Sequence, residues 1–212
     1  GIRQVFVPLR SYFELRPKSA ISDTVPPARV VGDLHQQVET WRLERDPDDA
    51  IRVISGGPGS GKSSFAKMFA AYLAKEVPDC RVLFIPLHRF DPGGDLIEAV
   101  GDFLRFDPFL SHNPIDPKEG DDGVLLIFDG LDELAMQGRA AVEVAQQFVR
   151  EVEKKVGILN SHGKARAQAI IVGRELSVQG SASELRKPKQ ILHVLPYLVR
   201  RKNETWDDPA KL

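Results

Sequence analysis

A glycine-rich turn between an apolar strand and an amphipathic helix constrains this chain more than any other feature. The turn occupies residues 56–63, reads GGPGSGKS, and matches G-x-x-x-x-G-K-[ST] at every fixed position. The apolar residues 51–55 before it predict a buried strand, and the spacing of apolar residues over 62–75 predicts a helix after it. Strand, turn and helix in this order predict a site that binds phosphate groups.

The residue types in the turn suit that chemistry. Glycines allow successive N–H groups to face one anionic centre, and the positive end of the following helix adds to the same field. Lys62 is predicted to bridge phosphate oxygens, and the Ser63 hydroxyl is predicted to ligate Mg²⁺. The predicted phosphate-binding residues are Gly56, Gly57, Pro58, Gly59, Ser60, Gly61, Lys62, Ser63 and Ser64.

A second candidate element is the acidic end of the most apolar stretch, residues 124–128, which is followed by Asp129. An acid in this position can hold the water shell of Mg²⁺, so we predict that Asp129 joins Ser63 at the metal. Glu133 is the first candidate to orient or deprotonate an attacking water, and Asp132 is a candidate for the metal shell. The structural alternative is that Asp132 and Glu133 only cap the next helix.

The rest of the chain alternates between short apolar runs and longer amphipathic stretches, which is typical of an α/β fold with a mainly parallel sheet. Asp33 and Asp95 are predicted to cap helices, and a polar segment is predicted to form an exposed loop over 111–123. The predicted strands are 51–55, 82–87, 124–128, 169–172 and 191–195, and a further long helix is predicted over 138–158. The first 32 residues are expected to form an arm or an added edge element.

Composition excludes several other classes of protein. The formal net charge is −1, so the total charge does not favour nucleic acid or a membrane surface as a partner. A single cysteine, Cys80, excludes an internal disulfide and suits a reducing cytoplasmic location, and no apolar run is long enough to span a bilayer.

The charge is unevenly distributed along the chain. Residues 91–133 carry twelve acidic side chains against two basic ones, whereas 161–202 carry nine basic against two acidic. One interpretation is that these charged residues only solvate opposite faces of a folded domain. The alternative is that the basic residues form a surface that binds phosphate or an acidic partner.

Several conspicuous side chains are predicted to be structural. Phe103, Phe106 and Phe109 have a spacing more typical of core packing than of a base-stacking surface. His88 and His193 have no visible metal or nucleophile partner in the sequence, so neither is expected to act as an acid or base.

These motifs together resemble the NACHT branch of the signal-transduction ATPases with numerous domains. The resemblance covers roughly residues 53–195 and depends on the glycine-rich turn and on the run Asp-Gly-Leu-Asp-Glu at 129–133. The strand at 170–172 then looks like the family's next strand, which ends on a sensor arginine, here Arg174. The family usually has Thr or Ser before that arginine, and Gly173 departs from this pattern.

The resemblance implies a three-layer P-loop NTPase fold with a five-stranded sheet in the order 5-1-4-3-2 and helices on both faces. It implies ATP or ADP as the ligand, together with Mg²⁺. It also implies that the protein is a nucleotide-operated switch in sensing or defence signalling, which acts with other domains of a longer protein and can self-assemble on activation. The expected domain spans 33–199, and 200–212 is expected to begin a linker toward a helical domain. An isolated domain of this kind is expected to bind nucleotide weakly and to hydrolyse ATP slowly, with Lys62, Asp132, Glu133 and Arg174 as the catalytic set.

Two other functions stay open on the sequence. A small P-loop phosphotransferase would need an arginine-rich lid, and the basic stretch 186–189 is the candidate for it. An ATPase that acts on DNA would use the basic C-terminal third as its contact surface.

Overall fold

The computed structural model describes residues 7–15, 27–134, 139–161, 166–175 and 189–196, together with 178, 185 and 187. Within helix residues 139–142 only the backbone is described. The predicted linker at 200–212 lies outside these residues, as do Gly138, Arg186 and most of residues 1–26.

Seven strands form one sheet in the spatial order β2-β1-β7-β3-β6-β5-β4. The strands are β1 (Arg10–Leu15), β2 (Ala28–Asp33), β3 (Ile51–Ser55), β4 (Arg81–Pro86), β5 (Val124–Asp129), β6 (Ala167–Gly173) and β7 (Ile191–Val194). The helices are α1 (Leu34–Glu44), α2 (Lys62–Glu76), α3 (Leu96–Leu104), α4 (Leu131–Leu134) and α5 (Arg139–Leu159), and a 3-10 turn follows β4 at Leu87–Arg89.

The five strands β3 to β7 are parallel and have the predicted order, since β7, β3, β6, β5 and β4 correspond to 5-1-4-3-2. The sheet as a whole is larger than predicted, because β1 and β2 add an antiparallel pair beside β7. These two strands lie almost wholly within the first 32 residues, for which an arm or an added edge element was expected. Pairing with β7 places β1 where Leu9 can reach the glycine-rich turn.

Helices cover both faces of the sheet, which gives the predicted three layers. Helices α1 and α2 pack on one face around Trp41 and Phe69, and α3 and α5 pack on the other around Val100 and Phe148. Alternate residues of β5 contribute to the two cores, so the strand is buried along its whole length. The capping predictions are confirmed, because Asp33 accepts a hydrogen bond from the Gln36 N–H at 2.9 Å and Asp95 one from the Ile97 N–H at 2.8 Å.

One sequence-based expectation in the segment after α3 is wrong, and a second, the exposed loop at 111–123, holds only in part. Phe106 and Phe109 are both 89% exposed, and only Phe103 packs against the core. The spacing fails here because α3 ends at Leu104, so the last two aromatics no longer follow a helical face. The segment 111–123 is also more anchored than an exposed loop, since Ile115 is buried and the Asn113 amide donates to the Ile97 carbonyl at 2.7 Å.

Candidate nucleotide site

The glycine-rich turn begins directly after β3 and leads into α2 without a break. Gly59 and Gly61 have φ angles of 71° and 87°, in the left-handed region where a side chain is strained. Gly61 is the N-cap of α2 and has no side chain to occupy the first N–H groups of the helix. Those amides and the helix dipole can therefore act on an anion at the turn.

Lys62 is buried at the start of α2, with its ammonium group directed back into the turn. Its Nζ donates to the carbonyls of Gly56 and Gly57 at 2.8 Å each and to the Ser60 hydroxyl at 3.2 Å. Burial lowers the pKa of this ammonium below its ordinary value, and the charge of Arg174 lowers it further, while Asp132 and Asp129 act in the opposite direction. The turn thus holds a positive charge at its centre, with carboxylates close enough to affect it.

The Ser63 hydroxyl lies against the acidic end of β5. Its Oγ donates to Asp129 Oδ1 at 2.8 Å, although the two residues are 66 positions apart in sequence. Strand β6 lies between β3 and β5, so Asp129 approaches the turn from a strand that does not neighbour β3. A hydroxyl and a carboxylate in contact form an all-oxygen donor set of the kind that Mg²⁺ prefers, and the residues present therefore fit this ion.

The chain turns sharply after Asp129 and begins the short helix α4. Gly130 has a φ angle of 100°, and its N–H donates to the Val172 carbonyl at 3.0 Å. Leu131 is fully buried and anchors α4 in the core below. The anchored turn holds the next two residues, Asp132 and Glu133, at the same edge of the sheet as the glycine-rich turn.

Each of those two acids contacts a basic side chain from a different strand end. Asp132 Oδ2 lies 2.8 Å from Arg174 Nε, and Arg174 follows β6. Glu133 Oε2 lies 3.2 Å from His88 Nδ1, in the 3-10 turn after β4. The ends of β3, β4, β5 and β6 thus each supply part of one charged cluster.

His88 is a member of this cluster that the sequence did not reveal. No motif surrounds it, and the sequence predicted a structural role. Its position after a strand is the one signal that points to the site, since the carboxyl ends of parallel strands meet at one edge of the sheet. The neighbouring strand β5 brings Glu133 within reach of it.

Gly173 occupies the position before Arg174, and its surroundings explain why no larger residue stands there. A Cβ atom added to Gly173 would lie 2.9 Å from Leu131 Cβ and 3.5 Å from Val178 Cγ2. No side chain fits at that distance without moving α4. The departure from Thr or Ser therefore follows from the close packing of β6 against α4.

The other predicted residues lie where the motif places them. Ser64 is exposed in the first turn of α2, and Gly57 has open space around its Cα. Gly56 is confined instead, because an added Cβ would lie 3.1 Å from both Ser60 Oγ and Val194 Cβ. Leu9, before β1, lies 3.4 Å from the corresponding point on Gly61.

The parallel sheet, the glycine-rich turn before α2 and the adjoining acidic strand end define a P-loop nucleotide-binding protein. The family model of the NACHT domain matches residues 51–202, which is most of the chain. The chain therefore belongs to the NACHT domain family, and the resemblance seen in the sequence is confirmed. It is accordingly a nucleotide-binding ATPase module.

Three solved structures are distantly similar to this chain. C. elegans PCH-2 is 14% identical with a TM-score of 0.39, and the match covers 77% of this chain and 41% of that one. The cytoplasmic domain of the Thermomonospora curvata type VII secretion ATPase EccC is 12% identical with a TM-score of 0.34, covering 89% and 22%. The cytoplasmic domain of EssC is 11% identical with a TM-score of 0.35, covering 89% and 37%. The chain thus spans less than half the length of each of these structures.

No curated protein sequence matches this chain. In the part of the chain that the structure describes, no helix combines the length and the apolar character needed to cross a membrane.

Proposed function

We propose that this domain is an ATP- and ADP-binding switch module of a signalling protein, with slow Mg²⁺-dependent ATP hydrolysis. The observation that carries the proposal is the 2.8 Å contact between Ser63 Oγ and Asp129 Oδ1. This contact joins the phosphate-binding turn to the acidic strand end, although the two motifs are far apart in sequence. Each motif supports the assignment of the other.

In this proposal the turn residues 56–63 cradle the phosphates with main-chain N–H groups, and Lys62 holds the terminal phosphate oxygens. Ser63 and Asp129 would hold Mg²⁺. When bound, the ion would supply positive charge that neutralises the phosphates. The Lys62 ammonium donates to the Gly56 and Gly57 carbonyls in the structure, and in this proposal it exchanges those hydrogen bonds for bonds to phosphate.

Glu133 orients and deprotonates the attacking water, and His88 fixes the carboxylate through the 3.2 Å contact. Arg174 stabilises negative charge that develops on the transferred phosphate, while Asp132 holds the guanidinium in position at 2.8 Å. Asp132 is thus better placed to orient Arg174 than to touch the metal shell. Hydrolysis would then reset a switch whose ATP-bound form assembles with its partners.

Calorimetric titration with ADP, ATP and GTP, each with and without Mg²⁺, tests the binding part of this proposal. We expect adenine nucleotides to bind more tightly than GTP, and Lys62→Ala to weaken binding by at least tenfold, because a charge-assisted hydrogen bond is worth about 1.5–3 kcal/mol. Lys75→Ala is the matched control, since Lys75 lies in the last turn of the same helix and is paired only at the surface. Equal affinity of the Lys62→Ala variant would refute the phosphate role.

Turnover measurements test the catalytic part. Glu133→Gln should abolish Mg²⁺-dependent release of inorganic phosphate while leaving ADP affinity within about threefold, because the carboxylate acts on water rather than on the nucleotide. Turnover of tens per second by the isolated domain would contradict a slow switch.

The cytoplasmic location, the domain limits 33–199 and the signalling role remain predictions.

A further inference from the structure

A groove runs along the open edge of the sheet, far from the phosphate-binding turn in the strand order. Strand β4 is the last strand of the sheet, and within the described residues it pairs only with β5. The groove has a volume of about 630 Å³, and residues 80–84 of β4 and its entry form its floor. One wall is formed by Ala74 in the last turn of α2 and by Pro78 just after that helix. The other is formed by Phe103 in α3 and by Phe109 and Leu110 in the segment that follows it.

The floor of this groove is suited to an added strand. Alternate residues of an edge strand direct their N–H and C=O groups away from the sheet, where they can pair with another chain. Charged residues and prolines commonly protect an edge strand from pairing with another chain. Strand β4 has Arg81 at its start and Pro86 at its end, and neither type of residue between them. An extended segment laid along β4 would be covered on one face by α2 and on the other by the segment after α3.

Phe109 gives the wall an apolar contact that the folded domain does not use. Its side chain is 89% exposed although it lines the groove. Phe106 is exposed to the same extent but does not line the groove. An exposed aromatic beside an open strand edge is the kind of contact that binds a partner side chain.

The charge around the groove selects the partner. Four aspartates line it, at 79, 107, 121 and 122, against a single basic residue, Arg81. Arg81 pairs with Asp121 at 3.0 Å and Arg166 with Asp122 at 3.2 Å, whereas no cation of the described residues pairs with Asp79 or Asp107. An incoming segment therefore meets net negative charge.

A second copy of this chain does not suit the groove. Two β4 edges paired about a two-fold axis would bring the aspartate-lined grooves of both copies into one interface, because such an interface uses one patch twice. Like charges brought together in this way oppose association.

We propose that the β4 groove binds an extended segment of a second protein by strand addition, and that this segment carries β-branched or aromatic residues flanked by lysine or arginine. Main-chain hydrogen bonds to β4 supply much of the affinity, Phe109 and Leu110 receive apolar side chains, and Asp79 and Asp107 receive the basic ones. This surface is separate from the nucleotide site and does not depend on the function proposed for that site.

The probe is a fluorescein-labelled decapeptide with a central run of valine and isoleucine flanked by lysines, titrated with the full chain and read by anisotropy. We expect saturable binding that is lost when the lysines are replaced by glutamates and lost when a proline interrupts the central run. Phe109→Ser should weaken binding about tenfold, because the apolar contact between the phenyl ring and the peptide is lost. Phe106→Ser, the matched control, should change affinity by less than twofold.

Hydrogen exchange locates the bound peptide. We expect slower exchange at the amides of residues 81–85 on binding, and Asp79→Lys should weaken binding several-fold. The proposal is overturned if no peptide binds up to about 1 mM, if the glutamate or proline peptide binds as tightly, or if the Phe109 and Phe106 variants behave alike. A further variant replaces Arg200 and Arg201 by glutamate. If this variant binds the peptide more tightly, the basic C-terminal segment of the same chain competes with the peptide for the groove. That result would overturn a second protein as the occupant.

Discussion

Substitution of Gly173 by alanine tests the packing that places α4 against the nucleotide site. The new Cβ would lie 2.9 Å from Leu131 Cβ, whereas apolar atoms in contact stay about 4 Å apart, so one side must move by about 1 Å. Strand β6 is held between β3 and β5 and is buried throughout, so α4 is the element that yields. Overpacking of this kind costs about 1–3 kcal/mol, and we expect a loss of about 2 kcal/mol in the free energy of unfolding.

The same movement reaches the site because Leu131 directly precedes Asp132 and Glu133. A misplacement of about 1 Å at a catalytic group can lower turnover up to about 100-fold. Nucleotide binding should change less than about threefold, since the phosphate-binding turn itself is not displaced. Gly173→Ser should behave like Gly173→Ala, because the Cβ atom and not the hydroxyl causes the conflict.

Urea unfolding followed by circular dichroism, with ADP titration and phosphate release on the same samples, measures all three quantities. Gly157→Ala is the control, since Gly157 lies within α5 and an added Cβ there meets nothing within 4 Å. That variant should be more stable by about 0.5–1 kcal/mol, because alanine favours a helix over glycine. A change of about 0.5 kcal/mol in the free energy of unfolding is the limit for a surface substitution. If Gly173→Ala changes the free energy of unfolding by less than this and keeps its turnover, the predicted conflict with Leu131 is wrong.

Three further predictions concern single titratable groups. ADP affinity should fall as pH rises through the lowered pKa of Lys62, because phosphate favours the ammonium form. Titrations with fluorescent ADP between about pH 7 and 10 measure this dependence. The Lys62→Gln variant should show a flatter pH profile. His88→Ala should lower turnover about three- to tenfold with unchanged ADP affinity, because it releases Glu133; unchanged phosphate release would remove His88 from the mechanism. Burial lowers the pKa of His193 below 6.5, so the unfolded chain takes up a proton first and stability decreases as pH falls through and below that value. His193→Phe keeps the stacking on Tyr12 and should lose less stability between about pH 7.5 and 5 by urea unfolding, whereas an equal loss would contradict this origin.

The local elements were predictable because their signals are local. The Asp33 and Asp95 caps, the buried run that became β5 and the glycine-rich turn each depend on residues within one turn or strand. The order of the five parallel strands came from the family resemblance, because pairing between distant strands leaves no short-range pattern. The aromatic residues after α3 were misjudged for the opposite reason: helical spacing predicts burial only as far as the helix continues, and α3 ends before Phe106.

A phosphate-binding turn and an acidic strand end are predicted from the residues alone, because both are contiguous motifs in which each residue type has a chemical reason. Which charges meet depends on how distant segments pack together. The parallel sheet brings the ends of β4, β5 and β6 to one edge, and there Glu133 pairs with His88 and Asp132 with Arg174. The packing also decides that Gly173 must lack a side chain, since that requirement comes from Leu131 on another element and cannot be read from the residues beside it.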